Sequence, residues 1–153
     1  MSEHEPIIPP EGIWLGLGDT GFDEQLLTEP SADMMLELPQ NGLVGLRKSG
    51  GIRFSSRDVI VLRSGWMVQH THDTALRPRR ISPSMMASLR RLTLRTQLGR
   101  YPQQIGRATP DGFSYELAAR IDRVVHHVTV HDGSIPPALE PLIRVLSRML
   151  PGR

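Results

Sequence analysis

Six histidines give this 153-residue chain its most obvious chemical potential. His70 and His72 stand just before Asp73, and His126, His127 and His131 stand before Asp132. Residues two apart on a strand share a face, so His70 with His72, or His127 with His131, could converge on a metal ion. The chain has no cysteine, the spacing is not that of a zinc site, and two separate hairpins would have to meet to complete one. The plainer reading is a set of solvent-facing strand histidines, with His126 hydrogen-bonded at a sheet edge. The expectation is no metal and no cofactor.

Hydrolytic chemistry has less support. Ser49 lies beside Gly50 and Gly51, but no Gly-x-Ser-x-Gly nucleophile elbow surrounds it. The carboxylates after residue 40 are Asp58, Asp73, Asp111, Glu116, Asp122, Asp132 and Glu140, and no pair has the spacing of a general acid and base. Gly16-Leu17-Gly18-Asp19-Thr20-Gly21 lacks the spacing and the preceding buried strand of a dinucleotide fingerprint. A non-enzyme is expected.

Charge separates sharply along the chain. Residues 1–40 hold nine acidic residues and no Lys or Arg, whereas residues 41–153 hold all 18 basic residues, every one Arg except Lys48. Arg77, Arg79, Arg80, Arg90, Arg91, Arg95, Arg100 and Arg107 flank one expected helix and could form a phosphate-binding surface. Stacking platforms for single strands are scarce, because the whole chain has seven Phe, Trp and Tyr residues. A second role for the charge pattern is internal, with the acidic segment lying on the basic body.

The elements that must position these groups follow from periodicity. The chain length suits one domain: an acidic, Pro-containing extension over 1–40 and a folded body over 41–153. Ile13 to Gly18 reads as a short strand or anchor carrying Trp14, and 22–38 as a short helix ending before Pro39. Leu43 to Lys48 is a first strand. Val59 to Arg63 and Trp66 to His72 form a hairpin through a two-residue Ser64-Gly65 turn.

Residues 73–81 read as a basic connection. Ser82 as N-cap and Pro83 at the first position open a helix with Met85, Met86, Leu89, Leu92 and Thr96 on its apolar face, stopped by Gly99. After a loop over 100–112, Phe113, Tyr115, Leu117, Ala119 and Ile121 alternate into an Asp122-Arg123 turn. That turn pairs Ile121 with Val124, Ala119 with His126, Leu117 with Val128 and Tyr115 with Val130. Ser134-Ile135-Pro136-Pro137 opens a last helix with a stripe from Leu139 to Leu150. The body is therefore α+β, βββαββα, an antiparallel sheet of about five strands with two helices on one face.

No stretch is long and apolar enough for a spanning helix. Met1-Ser2-Glu3-His4-Glu5-Pro6 is acidic where a signal peptide starts basic, so a cytoplasmic protein with no membrane partner is expected. Edge strands of a small open sheet make a homodimer one expected assembly.

Several stretches together resemble a known family: Arg47-Lys48-Ser49-Gly50-Gly51-Ile52; Arg57-Asp58-Val59-Ile60-Val61 with Ser64-Gly65; the Ser-Pro-started helix; Asp111-Gly112-Phe113-Ser114-Tyr115-Glu116-Leu117; and the run from His127 through Asp132-Gly133 and Pro136-Pro137 to Ile143. The succession resembles the emfourin-like family of small bacterial proteins, whose founding member inhibits protealysin, a thermolysin-type zinc metallopeptidase. The resemblance covers about residues 43–150. An Ala-Gly pair often follows the Ser-Gly-Gly-Ile in that family, where this chain has Arg53-Phe54.

The resemblance implies a protein-binding module that inhibits a thermolysin-like metallopeptidase through exposed glycine-rich loops. Such an inhibitor needs a rigid sheet presenting loops to a cleft. The expected partner-binding residues are Ser49, Gly50, Gly51, Ile52, Arg53 and Phe54, and then Asp132 and Gly133. The alternative is an Arg-rich binder of nucleic acid or another acidic partner, regulated by the acidic N-terminal segment.

Overall fold

The computed structural model describes residues 35–51, 55–72 and 74–152. The strands are β1 (Gly42–Gly50), β2 (Ser55–Leu62), β3 (Trp66–Thr71), β4 (Thr74–Ala75), β5 (Arg79–Arg80), β6 (Gln104–Ile105), β7 (Phe113–Ile121) and β8 (Val124–His131). Two helices, α1 (Pro83–Thr96) and α2 (Glu140–Arg148), complete the fold. All strands join one sheet in the order β4-β3-β2-β1-β7-β8-β6, with β5 also on β3. Every pairing is antiparallel except β6 with β8.

The α+β class and the two helices agree with the sequence reading, and the sheet is larger than expected. The extra strands are two-residue pieces, β4 and β5 in the stretch read as a basic connection and β6 in the loop after α1. Pieces so short carry no alternation to detect. They lie at the sheet's outer edges, β4 and β5 on the two ends of β3 and β6 on Thr129 and Val130 of β8.

Alternation along the long strands sends two apolar sets to opposite faces. Val44, Leu46, Val59, Val61, Met67, Leu117, Ala119, Val128 and Val130 face the helices and pack with Met86, Leu89, Leu98, Leu139, Leu142, Ile143 and Leu146. On the other face Ile60, Leu62, Trp66, Val68 and Ala118 form a smaller cluster around Leu36. Strands that are buried on both faces read as nearly continuous apolar runs, as Val59 to Leu62 does.

The chain segment before β1 is tied to that second face. Leu36 is 2% exposed, its carbonyl lies 3.1 Å from His127 Nε2, and Arg120 donates to the carbonyls of Pro39 and Gly42. Residues 35–38 are not helical, so the expected helix does not reach Pro39. The rest of that expectation, and the one for Ile13 to Gly18, lies outside the described residues.

Three boundaries depart from the sequence reading for local reasons. The β2–β3 loop has three residues, Arg63 to Gly65, not two, with Gly65 at φ 98°. This loop pairs Val61 with Met67 and Ile60 with Val68. A two-residue turn would shift the register by one and pair Ile60 with Gln69, setting a polar residue among the apolar ones.

Helix α1 begins as read, with Ser82 Oγ accepting from Met85 N–H at 3.2 Å and Pro83 in the first turn. It ends at Gln97, which takes the left-handed conformation at φ 49°, and not at Gly99. Gly99 instead makes room for a neighbour, since a Cβ there would meet the His126 ring at 2.8 Å. Helix α2 starts at Glu140, later than Pro136-Pro137, because Pro141 lacks an N–H and suits only the first turn. Residues 137–139 form a turn before it.

Candidate protein-docking site

Antiparallel pairing brings the two loop regions singled out in the sequence to one end of the sheet. At that end Gly50 of β1 pairs with Ser55 of β2 and with Phe113 of β7, and Ser114 pairs with His131 of β8. The stretch from Ser49, the Gly112-Phe113 corner and the Asp132-Gly133 turn therefore stand side by side. Ser49 and Gly50 are the last residues of β1 and do not belong to the loop itself. Ile52, Arg53 and Phe54 lie outside the described residues.

Two glycines are required here by proximity as well as by backbone angle. Gly50 has φ 106°, and a Cβ on it would sit 2.5 Å from the Gly112 carbonyl oxygen. Gly51 has φ 80°, and its Cβ would lie 2.9 Å from the Phe113 ring. Gly51 N–H donates to that same Gly112 carbonyl at 3.1 Å. The Ser-Gly-Gly run is thus the contact that lets β1 end against the corner before β7.

Asp132 fastens the second loop to the same corner. Its Oδ2 accepts from Phe113 N–H at 2.8 Å, and its own N–H donates to the Phe113 carbonyl at 3.0 Å. Ser134 N–H donates to the His131 carbonyl at 2.9 Å, closing a turn in which Gly133 has φ 85°. Among the described residues nothing lies within 4 Å of a Cβ built on Gly133, so they leave the tip of this turn open.

On the helix-bearing face, Lys48 Nζ sits 4.3 Å from the centre of the Phe113 ring and 5.6 Å from that of Tyr115. Burial, and then the Asp132 carboxylate, raise the Tyr115 phenol above its ordinary value, with Arg57 opposing them. Arg57 also donates to the Pro151 carbonyl at 3.0 Å, which holds the chain after α2 against this end.

On the opposite face Ser114 Oγ and His131 Nδ1 are 2.7 Å apart, with His131 Nε2 3.4 Å from Gln104 Oε1. The Nε2–H tautomer satisfies both contacts. No carboxylate orients this imidazole among the described residues, since Asp132 is engaged with Phe113, and the pair is a direct cross-strand partnership. It serves as a strand clasp.

His72 is exposed as expected, whereas two other histidines are buried. His70 is 5% and His131 8% exposed. His70 Nδ1 lies 2.7 Å from Asp58 Oδ1, in a row that crosses four strands. In that row Arg47 Nη1 donates to Glu116 Oε1 at 3.2 Å and Arg47 Nε lies 3.6 Å from Asp58 Oδ2. His126 packs on Gly99, and His127 meets the Leu36 carbonyl. Among the described residues no group of three or more His, Cys, Asp or Glu side chains is placed to hold a metal.

The residues expected to bind a partner do not include Lys48, Phe113 or Ser114, and no local pattern joins Glu116, Arg47, Asp58 and His70 into one row. The β7–β8 register read from the Asp122-Arg123 turn already sets Ser114 opposite His131. The charged row depends on β1 meeting β7, a contact 69 residues apart that no local signal carries.

No helix among the described residues is long and apolar enough to cross a membrane. No family model matches this chain, and no curated protein matches it.

Proposed function

We propose that this chain is a protein-binding module that docks through the Gly50-Gly51, Gly112-Phe113 and Asp132-Gly133 end of its sheet. Its target is a thermolysin-like zinc metallopeptidase, which it inhibits. The observation that carries the docking reading is the fastening of two adjacent loop bases to one corner. Gly51 N–H, the Gly112 carbonyl, Phe113 N–H and Asp132 Oδ2 are all committed to fixing that corner. Loops fixed before binding lose less conformational freedom on entering a cleft, and more of the contact energy remains as affinity. The emfourin-like succession of residues supports the target class.

The test is inhibition of a thermolysin-type peptidase by the full chain. Inhibition is expected to weaken by tenfold or more in Asp132→Ala, which frees the second loop, and to be unchanged in Arg123→Ala at the far end of the sheet. Equal potency of Asp132→Ala and the parent protein would remove this end as the docking surface.

A further inference from the structure

The opposite end of the sheet is built differently. Around the β2–β3 turn stand Arg63 in the turn, Arg79 and Arg80 of β5, and Arg90 of α1. Ile81 N–H donates to the Gly65 carbonyl and Arg80 pairs with Trp66, which brings β5 to the turn. Arg90 Nη2 donates to the Arg63 carbonyl at 3.2 Å, which brings α1 to it as well. All four arginines are exposed, and none forms an ion pair among the described residues. By contrast, Arg47 and Arg144 both have carboxylate partners.

A buried aromatic residue underlies these arginines at the same turn. Trp66 is 8% exposed, and its Nε1–H is buried without a hydrogen-bond partner among the described residues, as is Ser64 Oγ. Both atoms are enclosed by the protein, so the groups this turn presents outward are the four exposed guanidinium side chains. The Arg80 guanidinium lies 5.0 Å from the centre of the Trp66 ring, so the ring holds a cation in place.

We infer that this end is a second, separate binding surface for the phosphodiester backbone of nucleic acid. The guanidinium groups come from a turn, an edge strand and a helix, so they suit an extended polyanion better than a single small anion. Trp66 is buried and covered by Arg80, leaving no open ring for a base to stack on. Binding therefore follows backbone charge and shows no base preference. The inference is independent of the peptidase reading, which concerns the other end of the strands.

The experiment is fluorescence anisotropy of the full chain with labelled single-stranded and duplex oligonucleotides over a salt series. Four phosphate contacts give a slope of log affinity against log salt of about −3 to −4. The triple change Arg63→Gln, Arg80→Gln, Arg90→Gln is expected to weaken binding by tenfold or more and to bring the slope to about −1. The pair Arg144→Gln, Arg148→Gln on α2 is expected to leave both unchanged. Absence of binding at low salt overturns the inference, as does an unchanged slope in the triple variant. Polyglutamate competing as well as the oligonucleotide also overturns it, and assigns the surface to acidic protein.

Discussion

Gly50 and Gly133 both have positive φ, yet substitution should separate them. A Cβ on Gly133 meets nothing among the described residues, so Gly133→Ala carries only the left-handed strain of about 1–2 kcal/mol. A Cβ on Gly50 also collides with the Gly112 carbonyl oxygen, a backbone atom that cannot swing away. Gly50→Ala is therefore expected to destabilise the protein by at least about 1 kcal/mol more than Gly133→Ala in denaturant unfolding. Equal losses would mean that the corner yields to the added methyl group. Arg47 makes a second residue-scale case. It is 6% exposed between Asp58 and Glu116, and Arg47→Ala strips a buried carboxylate of its cation, a loss of about 3–5 kcal/mol. A melting temperature indistinguishable from the parent's would contradict that role.

At the scale of elements, the β7–β8 hairpin is the most legible part of the sequence. Its alternation and two-residue turn yield the observed register, with Asp122 and Arg123 both at positive φ as a type I′ turn requires. The β2–β3 loop is misread by one residue, because Ser64-Gly65 matches a two-residue turn locally and only the two-sided burial of β2 and β3 decides the register. Helix α2 is legible in its stripe but not in its start, since Pro136-Pro137 and Pro141 each qualify as a first-turn proline. Leu142, Ile143 and Leu146 of that stripe are buried against the sheet. Leu146→Ala should cost about 2–5 kcal/mol through the lost side chain and the cavity left behind. A change of under about 1 kcal/mol would mean that α2 is not a fixed part of the core.

For the whole molecule, the sheet separates two kinds of surface. One end is fastened by glycine contacts, Asp132 and the Lys48–Phe113–Tyr115 stack, and the other is rimmed by arginines that form no ion pair among the described residues. The candidate loops are visible in the sequence but their adjacency is not, because Gly50 meets Phe113 only through the long-range β1–β7 pairing. The Tyr115 phenol provides a global reporter of the first end. Its folded value is raised, so above about pH 10 the unfolded chain loses that proton first and stability falls as pH rises. In Tyr115→Phe this contribution to the alkaline decline should disappear, as read by unfolding midpoints between about pH 9 and 11. An unchanged pH slope would place Tyr115 in solvent, away from Asp132.

The most direct test of the central claim is a titration of a thermolysin-type metallopeptidase with the full chain, following hydrolysis of a peptide substrate. Docking of the fastened loop end into the peptidase predicts saturable inhibition at a one-to-one ratio that persists at high salt and is weakened by Asp132→Ala. Full peptidase activity in the presence of excess protein would contradict it.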